Sequence, residues 1–348
     1  MKNNKLPLGL VILSFLLLTA YITYRRPIDT PFKEKINGIA YVAPRSPEPE
    51  NPFIFMEKVN ANWVCIMPYA FCSAEVPVIR YNNERQWWGE RSEGIVKTIE
   101  LAKERNMKVM LKPHVWVRGE GWTGDFYVES DEDWEKWEES YAEYMLDMAK
   151  IADSLDVELF CVGLEFKNVI DRRPNCWPAL IKKVRKVYSG PLTYGANWDN
   201  FENIPFWNQL DYIGVHAYFP LSDKPTPTVG DLMKAWEEPY HRIKKLQKEH
   251  KKPILFTEYG YRSIDKAAGK QWELPHGWRD TLSTPNTEVQ KNAYEAFYLK
   301  FWNEPWVAGG FFWKWHGKHE DAGGLKNIQF TPQNKPAQNV IRAWYGKK

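Results

Sequence analysis

The chain has 348 residues and a formal net charge of +3, and its four Cys and ordinary Gly and Pro contents exclude a disulfide scaffold, a collagen-like repeat and a disordered chain. Lys2, Lys5, Arg25 and Arg26 lie in the first 26 residues; without them, the remaining 43 basic residues face 44 acidic ones. A body so close to neutral offers no basic face for nucleic acid, and points to an uncharged partner.

In chain order, the first feature is an uncharged stretch from Leu6 to Tyr24, flanked by those four basic residues. About 20 apolar residues suffice to cross a bilayer, so residues 1–26 read as a membrane anchor or as a signal peptide. No small-x-small cleavage site precedes Arg25, which favours the anchor. Either way the body is expected outside the cytoplasm: membrane-anchored if the segment is kept, secreted or periplasmic if it is cleaved. Residues 27–36 read as a linker and 37–348 as one domain, expected to be a monomer.

Eight short apolar runs then recur: NGIAYVA, ANWVCIMPYAF, KVMLKPHVWV, VELFCVGLEF, GPLTYGAN, LDYIGVHAY, KPILFTEYGY and VAGGFFWKW. Between most of them lie polar segments with helical spacing. SEGIVKTIELAKERN puts Ile95, Ile99 and Ala102 on one face. The acidic segment after Ser130 has an N-cap and a first turn suited to the helix dipole. Pro178 opens PALIKKVRKVY, and NTEVQKNAYEAFYLKFWN follows the same spacing. Strand and helix alternating eight times predict a (β/α)₈ TIM barrel. A doubly wound sheet is the alternative, but no Gly-rich phosphate loop follows an early strand. Trp134, Trp137, Trp236, Trp302 and Trp344 fall in helical segments and are expected in the core.

Barrel active sites form at the C-terminal ends of the strands. Two such ends carry Glu: Glu165 after the fourth run and Glu258 in the seventh. By strand alternation Glu258 shares a face with Phe256, and Glu165 with the small residues Gly163 and Cys161. A single Glu at a strand end is more often a salt-bridge partner, and Arg262 is near enough in sequence to Glu258 for that. A pair of carboxylates in one cup is what glycosidic cleavage needs, one as proton donor and the other as nucleophile or base. Other strand ends supply His114, Trp116, Asn197, Trp198, His216, Tyr218 and Trp313, and sugars offer C–H faces to rings and hydroxyls to polar groups. His316, His319 and Glu320 have nonspecific spacing, read as a surface loop, so neither a metal nor another cofactor is expected. Cys65 and Cys161 read as core thiols, and a Cys161–Cys176 bridge is open to an exported protein.

FTEYGYRS, VGLEF, GANWDNF, LDYIGVHAYFPL and GGFFWKW together resemble the retaining (β/α)₈ glycosidases, and within them glycoside hydrolase family 113, whose characterised members are β-mannanases. The resemblance runs from about Asn37 to Trp344. It implies Glu165 as acid/base, Glu258 as nucleophile, His216 and Tyr218 beside the nucleophile, and Trp313 under the sugar at the cleavage point. Many of these enzymes have Asn before the acid/base to hold the sugar 2-hydroxyl; here the position is Leu164, leaving Asn197 as the candidate for that contact. The expected substrate is a β-linked glycan, in first place β-1,4-mannan. A β-glucan cut by the same mechanism and a non-catalytic carbohydrate-binding barrel are the alternatives.

Overall fold

The structure is a computed structural model and describes residues 34–119, 122–274 and 283–347. Among the described residues ten strands form, β1 (Ile36–Tyr41), β2 (Trp63–Ile66), β3 (Tyr69–Ser73), β4 (Lys108–Leu111), β5 (His114–Arg118), β6 (Leu159–Leu164), β7 (Leu192–Asn197), β8 (Ile213–His216), β9 (Ile254–Tyr259) and β10 (Val307–Trp315). Eight of them close a parallel barrel in the order β1-β10-β9-β8-β7-β6-β4-β2. This is the expected (β/α)₈ barrel. The stretch Leu6–Tyr24 lies outside the described residues, among which no helix is long and apolar enough to cross a membrane.

The second and third runs do not form single strands. Pro68 and Pro113 lack the N–H a central strand must donate, so each run divides there. The distal pieces, β3 and β5, pair in parallel as a two-stranded sheet beyond the barrel rim, Tyr69 opposite His114 and Phe71 opposite Trp116. His114 and Trp116 therefore stand on an extension of the rim, not at barrel strand ends.

Helices α1 (Ser92–Glu104), α2 (Asp131–Ser154), α3 (Lys167–Arg172), α4 (Cys176–Val184), α5 (Val229–Ala235), α6 (Glu237–His250) and α7 (Thr287–Phe301) lie between the strands, and α8 (Pro336–Tyr345) follows β10. In α2 the Ser130 hydroxyl accepts the Asp133 N–H at 3.1 Å, and Asp131, Glu132 and Asp133 fill the first turn, as its sequence predicts. Its buried stripe includes Trp134, Trp137, Tyr141 and Met145, at the 3-4 spacing of a helix lying on a sheet. Trp137 is fully buried and stacks on Tyr141 at 4.7 Å, an anchor of the kind that contributes about 3–5 kcal/mol relative to Ala. α4 begins at Cys176, two residues before Pro178, so the proline sits inside its first turn.

The core has two layers. Helices and strands enclose a large aromatic shell that contains Trp134, Trp137, Trp236, Trp302 and Trp344, the five expected in the core. Inside the barrel a smaller cluster includes Ala40, Cys65, Met110, Cys161, Leu255 and Ala308. Cys65, Cys72, Cys161 and Cys176 are free thiols, so no Cys161–Cys176 bridge forms. His319 is buried against Trp315 and Phe55, at ring distances of 5.3 and 5.1 Å, and hydrogen-bonds Gln333. The segment is a surface loop, as Lys318 and Glu320 are exposed, but the His319 ring is turned into the core.

Candidate active site

Strand β9 delivers Glu258 by breaking its own alternation. Leu255 belongs to the barrel interior, while Phe256 packs outward on Phe297 and Phe301 of α7, at 4.9 and 4.8 Å. The pairing with β8 runs Val215 to Phe256 and then His216 to Glu258, and that with β10 skips a residue at the same level. This register shift turns Glu258 into the cup and Tyr259 out towards α7, where it stacks on Phe297 at 4.2 Å. Phe256 and Glu258 therefore face opposite ways, contrary to simple alternation.

Glu165 arrives by a backbone bend. Gly163 has φ +152°, and a Cβ there would stand 2.7 Å from both Tyr141 Oη and Trp177 Nε1, so the position is restricted to glycine. Glu165 itself has φ +55°, a conformation rare outside glycine. Its N–H donates to Gly195 O at 2.9 Å, and the next N–H, of Phe166, donates to Tyr194 Oη at 2.9 Å. These bonds hold a conformation costing about 1–3 kcal/mol. Glu165 lies past the end of β6, so the bend and not strand alternation sets its direction into the cleft.

The two carboxylates meet across one imidazole. His216 Nδ1 lies 2.7 Å from Glu165 Oε1, and His216 Nε2 lies 3.6 Å from Glu258 Oε1. Trp122 Nε1 donates to the other Glu165 oxygen at 2.7 Å. Tyr218 Oη donates to Glu258 Oε2 at 2.9 Å, and burial together with the charge of Glu258 pushes its phenol well above the usual range, so it remains a donor. His114 Nε2 stands 3.8 Å from Glu258 Oε1 with no hydrogen-bond partner among the described residues. Burial and the charge of Lys112 hold this imidazole well below its ordinary pKa, hence neutral.

The cation at Glu258 is Lys112, fully buried, whose ammonium donates to Glu258 Oε1 and lies 3.4 Å from Thr257 O. Burial raises the Glu258 carboxyl, but the attraction of His216 and Lys112 outweighs it and lowers the carboxyl to about 2. In turn, burial disfavours the Lys112 ammonium, and the charge of Glu258 reverses that, leaving it raised. The signs follow by linkage. The depressed Glu258 adds stability that is complete above the ordinary carboxylate pKa of roughly 4.3 and is lost as pH falls through about 2. The raised Lys112 adds stability that is complete below the ordinary lysine value and is lost as pH rises through its folded pKa. Lys112→Met strands a buried carboxylate, so it is expected to cost about 3–5 kcal/mol in chemical denaturation. It should also move the acid limb of the kcat/KM profile to higher pH. Wild-type stability with an unmoved acid limb would show that the pair does not hold Glu258 ionised.

Around the pair lies a cleft of about 770 Å³ whose wall includes Trp122, Asn197, Trp198, Tyr218, Trp272 and Trp313. Trp198 and Trp272 stack at 5.4 Å into a two-ring platform. Asn197 Nδ2 donates to Asp199 Oδ1 at 3.0 Å. Trp313, joined to Lys314 by a cis peptide bond, lies between Glu258 and the β3–β5 extension, with His114 6.2 Å from its ring. Trp116 is 57% exposed and lines a smaller hollow that continues from the carboxylates. Of the nine residues singled out in the sequence, Glu165, Asn197, Trp198, Tyr218, Glu258 and Trp313 line this cleft, His114 and Trp116 line the smaller hollow, and His216 is buried against the two carboxylates. Lys112, Trp122 and Trp272 were not among them. A Lys in the apolar run VMLKPHV carries the same signal that marked Glu258; Trp122 lies in a loop and Trp272 in a single 3-10 turn, neither with a periodic pattern.

A closed (β/α)₈ barrel with two carboxylates in an aromatic cleft at its C-terminal face has the form of a glycoside hydrolase. The family model described as Glycoside Hydrolase Family 113 matches residues 44–335, and the chain belongs to that family. It is a β-glycoside hydrolase, β-mannanase-like in structure. A complex of a GH113 β-1,4-mannanase is 27% identical, with a TM-score of 0.76 over 90% of this chain and 100% of that one. The GH113 β-mannanase of Alicyclobacillus acidocaldarius, in complex with ManMIm, is 25% identical, with a TM-score of 0.78 over 92% and 98%. A Ruminococcus gnavus β-glucuronidase, 15% identical with a TM-score of 0.61 over 90% of this chain and 50% of its own, shares the fold. No curated protein matches the chain.

Proposed function

We propose that this enzyme hydrolyses β-1,4-mannan with retention at the anomeric carbon, Glu258 acting as nucleophile and Glu165 as acid/base. The observation that supports this reading is that both carboxylates approach one imidazole, His216, at 2.7 and 3.6 Å, and face the same cleft. A Glu258 oxygen attacks the anomeric carbon as the bond to the leaving oxygen breaks, and Glu165 gives that oxygen its proton. Water then loses a proton to Glu165 and displaces Glu258 from the same carbon, restoring both groups. Lys112 and Tyr218 hold Glu258 ionised and oriented. The unpartnered Nε2 of the neutral His114 is placed to bond a sugar hydroxyl.

Substrate identity rests on the likeness to β-1,4-mannanases, and Leu164 leaves the 2-hydroxyl, where mannose and glucose differ, without the usual Asn. Hydrolysis of mannan, glucomannan, xylan, β-glucan and chitosan by the full chain, with product sizes, tests it. Activity confined to β-glucan replaces the substrate while keeping the mechanism; no activity on any of them overturns both.

Trp313 is the floor of the reacting sugar in this account. Trp313→Ala is expected to cost about 2 kcal/mol or more in kcat/KM with little change in melting temperature. Wild-type kinetics would place the platform elsewhere. The sequence from Leu6 to Tyr24 supports an exported enzyme tethered by residues 1–26, with 27–36 as spacer and the barrel, a monomer, outside the cytoplasm. Cell fractionation should find the barrel with the membrane or outside it. Recovery from the cytoplasm with an intact N-terminus would overturn this.

A further inference from the structure

Lys335, the residue before α8, is 3% exposed and takes no part in the chemistry above. An ammonium has three donors, and here each meets a neutral oxygen: Ser263 Oγ at 2.8 Å, Asn327 Oδ1 at 2.9 Å and Gln329 O at 2.7 Å. Those oxygens belong to two separate segments. Ser263 lies in residues 260–274, after β9, while Asn327 and Gln329 lie in residues 316–335, after β10. Both segments reach the cleft of about 770 Å³, the first with Gln271 and Trp272 and the second with Phe330. Gln271 is fixed within its segment, accepting the Arg262 N–H and donating to Gly260 O, both at 3.0 Å. Phe330 stands edge-on to Tyr218 at 6.3 Å, the phenol that donates to Glu258. Two further side chains cross the seam between the segments. Ser263 Oγ donates to Asn327 O at 2.6 Å, and Gln290 of α7 donates to Tyr261 O and Phe330 O at 2.8 and 2.9 Å.

We propose that Lys335 is a positioning residue for the glycan: its charged amine ties the segment carrying Phe330 to the one carrying Gln271 and Trp272, and the cleft wall they share loosens when the amine loses its proton. This rests on the cleft as the site of the glycan, whichever β-glycan that is. A neutral amine has two N–H groups and a lone pair, so it serves two of the three oxygens and leaves one buried acceptor unpaired. The two bonds that remain also lose their charge assistance. Burial pushes the ammonium down to about 7, which puts the change in the neutral range. Around it, burial and the charges of Lys314 and Lys335 hold His316 at about 4, so that ring is neutral throughout. Arg262, next to Ser263, is cationic at all these pH values, Lys326 is exposed, and α7 faces the seam with the neutral Gln290. Global stability moves the other way. The unfolded chain binds this proton more tightly than the fold does, so the contribution of Lys335 to stability rises with pH from about 7 to roughly 10.4. The wall loosens over an interval in which that contribution grows.

The test is steady-state kinetics on mannan together with hydrogen exchange of residues 325–331, both with the full chain from about pH 6 to about pH 8.5. In wild type KM is expected to rise roughly threefold to tenfold across neutral pH, and exchange, corrected for its intrinsic pH dependence, to quicken by a similar factor. Lys335→Met should show the high KM and the fast exchange at every pH, with kcat within about twofold of wild type. Ser263→Ala keeps the amine but removes its hold on residues 260–274; it should raise KM in the same way, and it decides the question if Lys335→Met does not fold. A lowered melting temperature in the variants, with KM, exchange and their pH profiles as in wild type, makes Lys335 a structural residue only and overturns the proposal. Wild-type KM and exchange without a step across neutral pH overturn it as well. If wild type cleaves β-glucan but not mannan, the mannan reading fails by itself; KM on β-glucan then takes the place of KM on mannan, and the exchange measurement needs no substrate.

Discussion

Glu258→Ala is expected to lower hydrolysis of mannan by roughly four orders of magnitude or more, because the nucleophile and the covalent intermediate both disappear. The loss has a structural component that must be separated from the chemistry. Lys112 is fully buried and its ammonium is sustained by Glu258, so removing the carboxylate costs stability of about 3–5 kcal/mol. Azide separates the two effects. The small anion fits the volume the side chain leaves, beside the stranded Lys112, and can attack the anomeric carbon of a dinitrophenyl glycoside as the phenolate departs. The product is the α-glycosyl azide, formed by one inversion, and only a folded site produces it. Rescue with a β-azide product, or full activity without azide, would remove Glu258 from the nucleophile's role.

Glu165→Ala is expected to behave differently, its effect depending on the leaving group. On mannan the leaving oxygen needs a proton, and loss of a placed general acid costs about 10²–10⁴-fold. A dinitrophenolate needs none, so formation of the covalent intermediate on such substrates should stay within about tenfold of wild type. Azide should then speed release of the intermediate and yield the β-glycosyl azide, the opposite anomer to that from the Glu258 variant. Equal losses on mannan and on dinitrophenyl glycosides would mean that Glu165 shapes the site without donating the proton. Trp122 and His216, which hold its two oxygens, would share that structural part.

The barrel was legible because its signal is repeated. Eight apolar runs at domain-scale spacing leave few ways to bury them, and capping at Ser130 marks a helix start with local chemistry. The positions of the two carboxylates along the chain were legible too, since a charge at the end of a buried run stands out. How they reach the cleft was not. Period-two alternation assumes an unbroken pleat, and β9 breaks it through pairing with β8 and β10, which are far away in sequence. At β6 the bend depends on Tyr141 and Trp177 crowding Gly163 from two helices, a relation absent from any local window. Lys112 was overlooked although it interrupts an apolar run just as Glu258 does; its meaning appears only when strands β4 and β9 bring the two charges together. Trp272 gains its role by stacking on Trp198, about seventy residues away, and no spacing rule links loop residues at that distance.

The central claim is that Glu165 and Glu258 act as a retaining pair, and the anomer first formed tests it most directly. Manno-oligosaccharide hydrolysis followed by proton NMR in the first minutes, before mutarotation mixes the anomers, should show the new reducing end appearing as β. Initial appearance of the α-anomer would mean a single displacement by water, with the carboxylates working about 6.5–9.5 Å apart, and would contradict the double displacement built on Glu258.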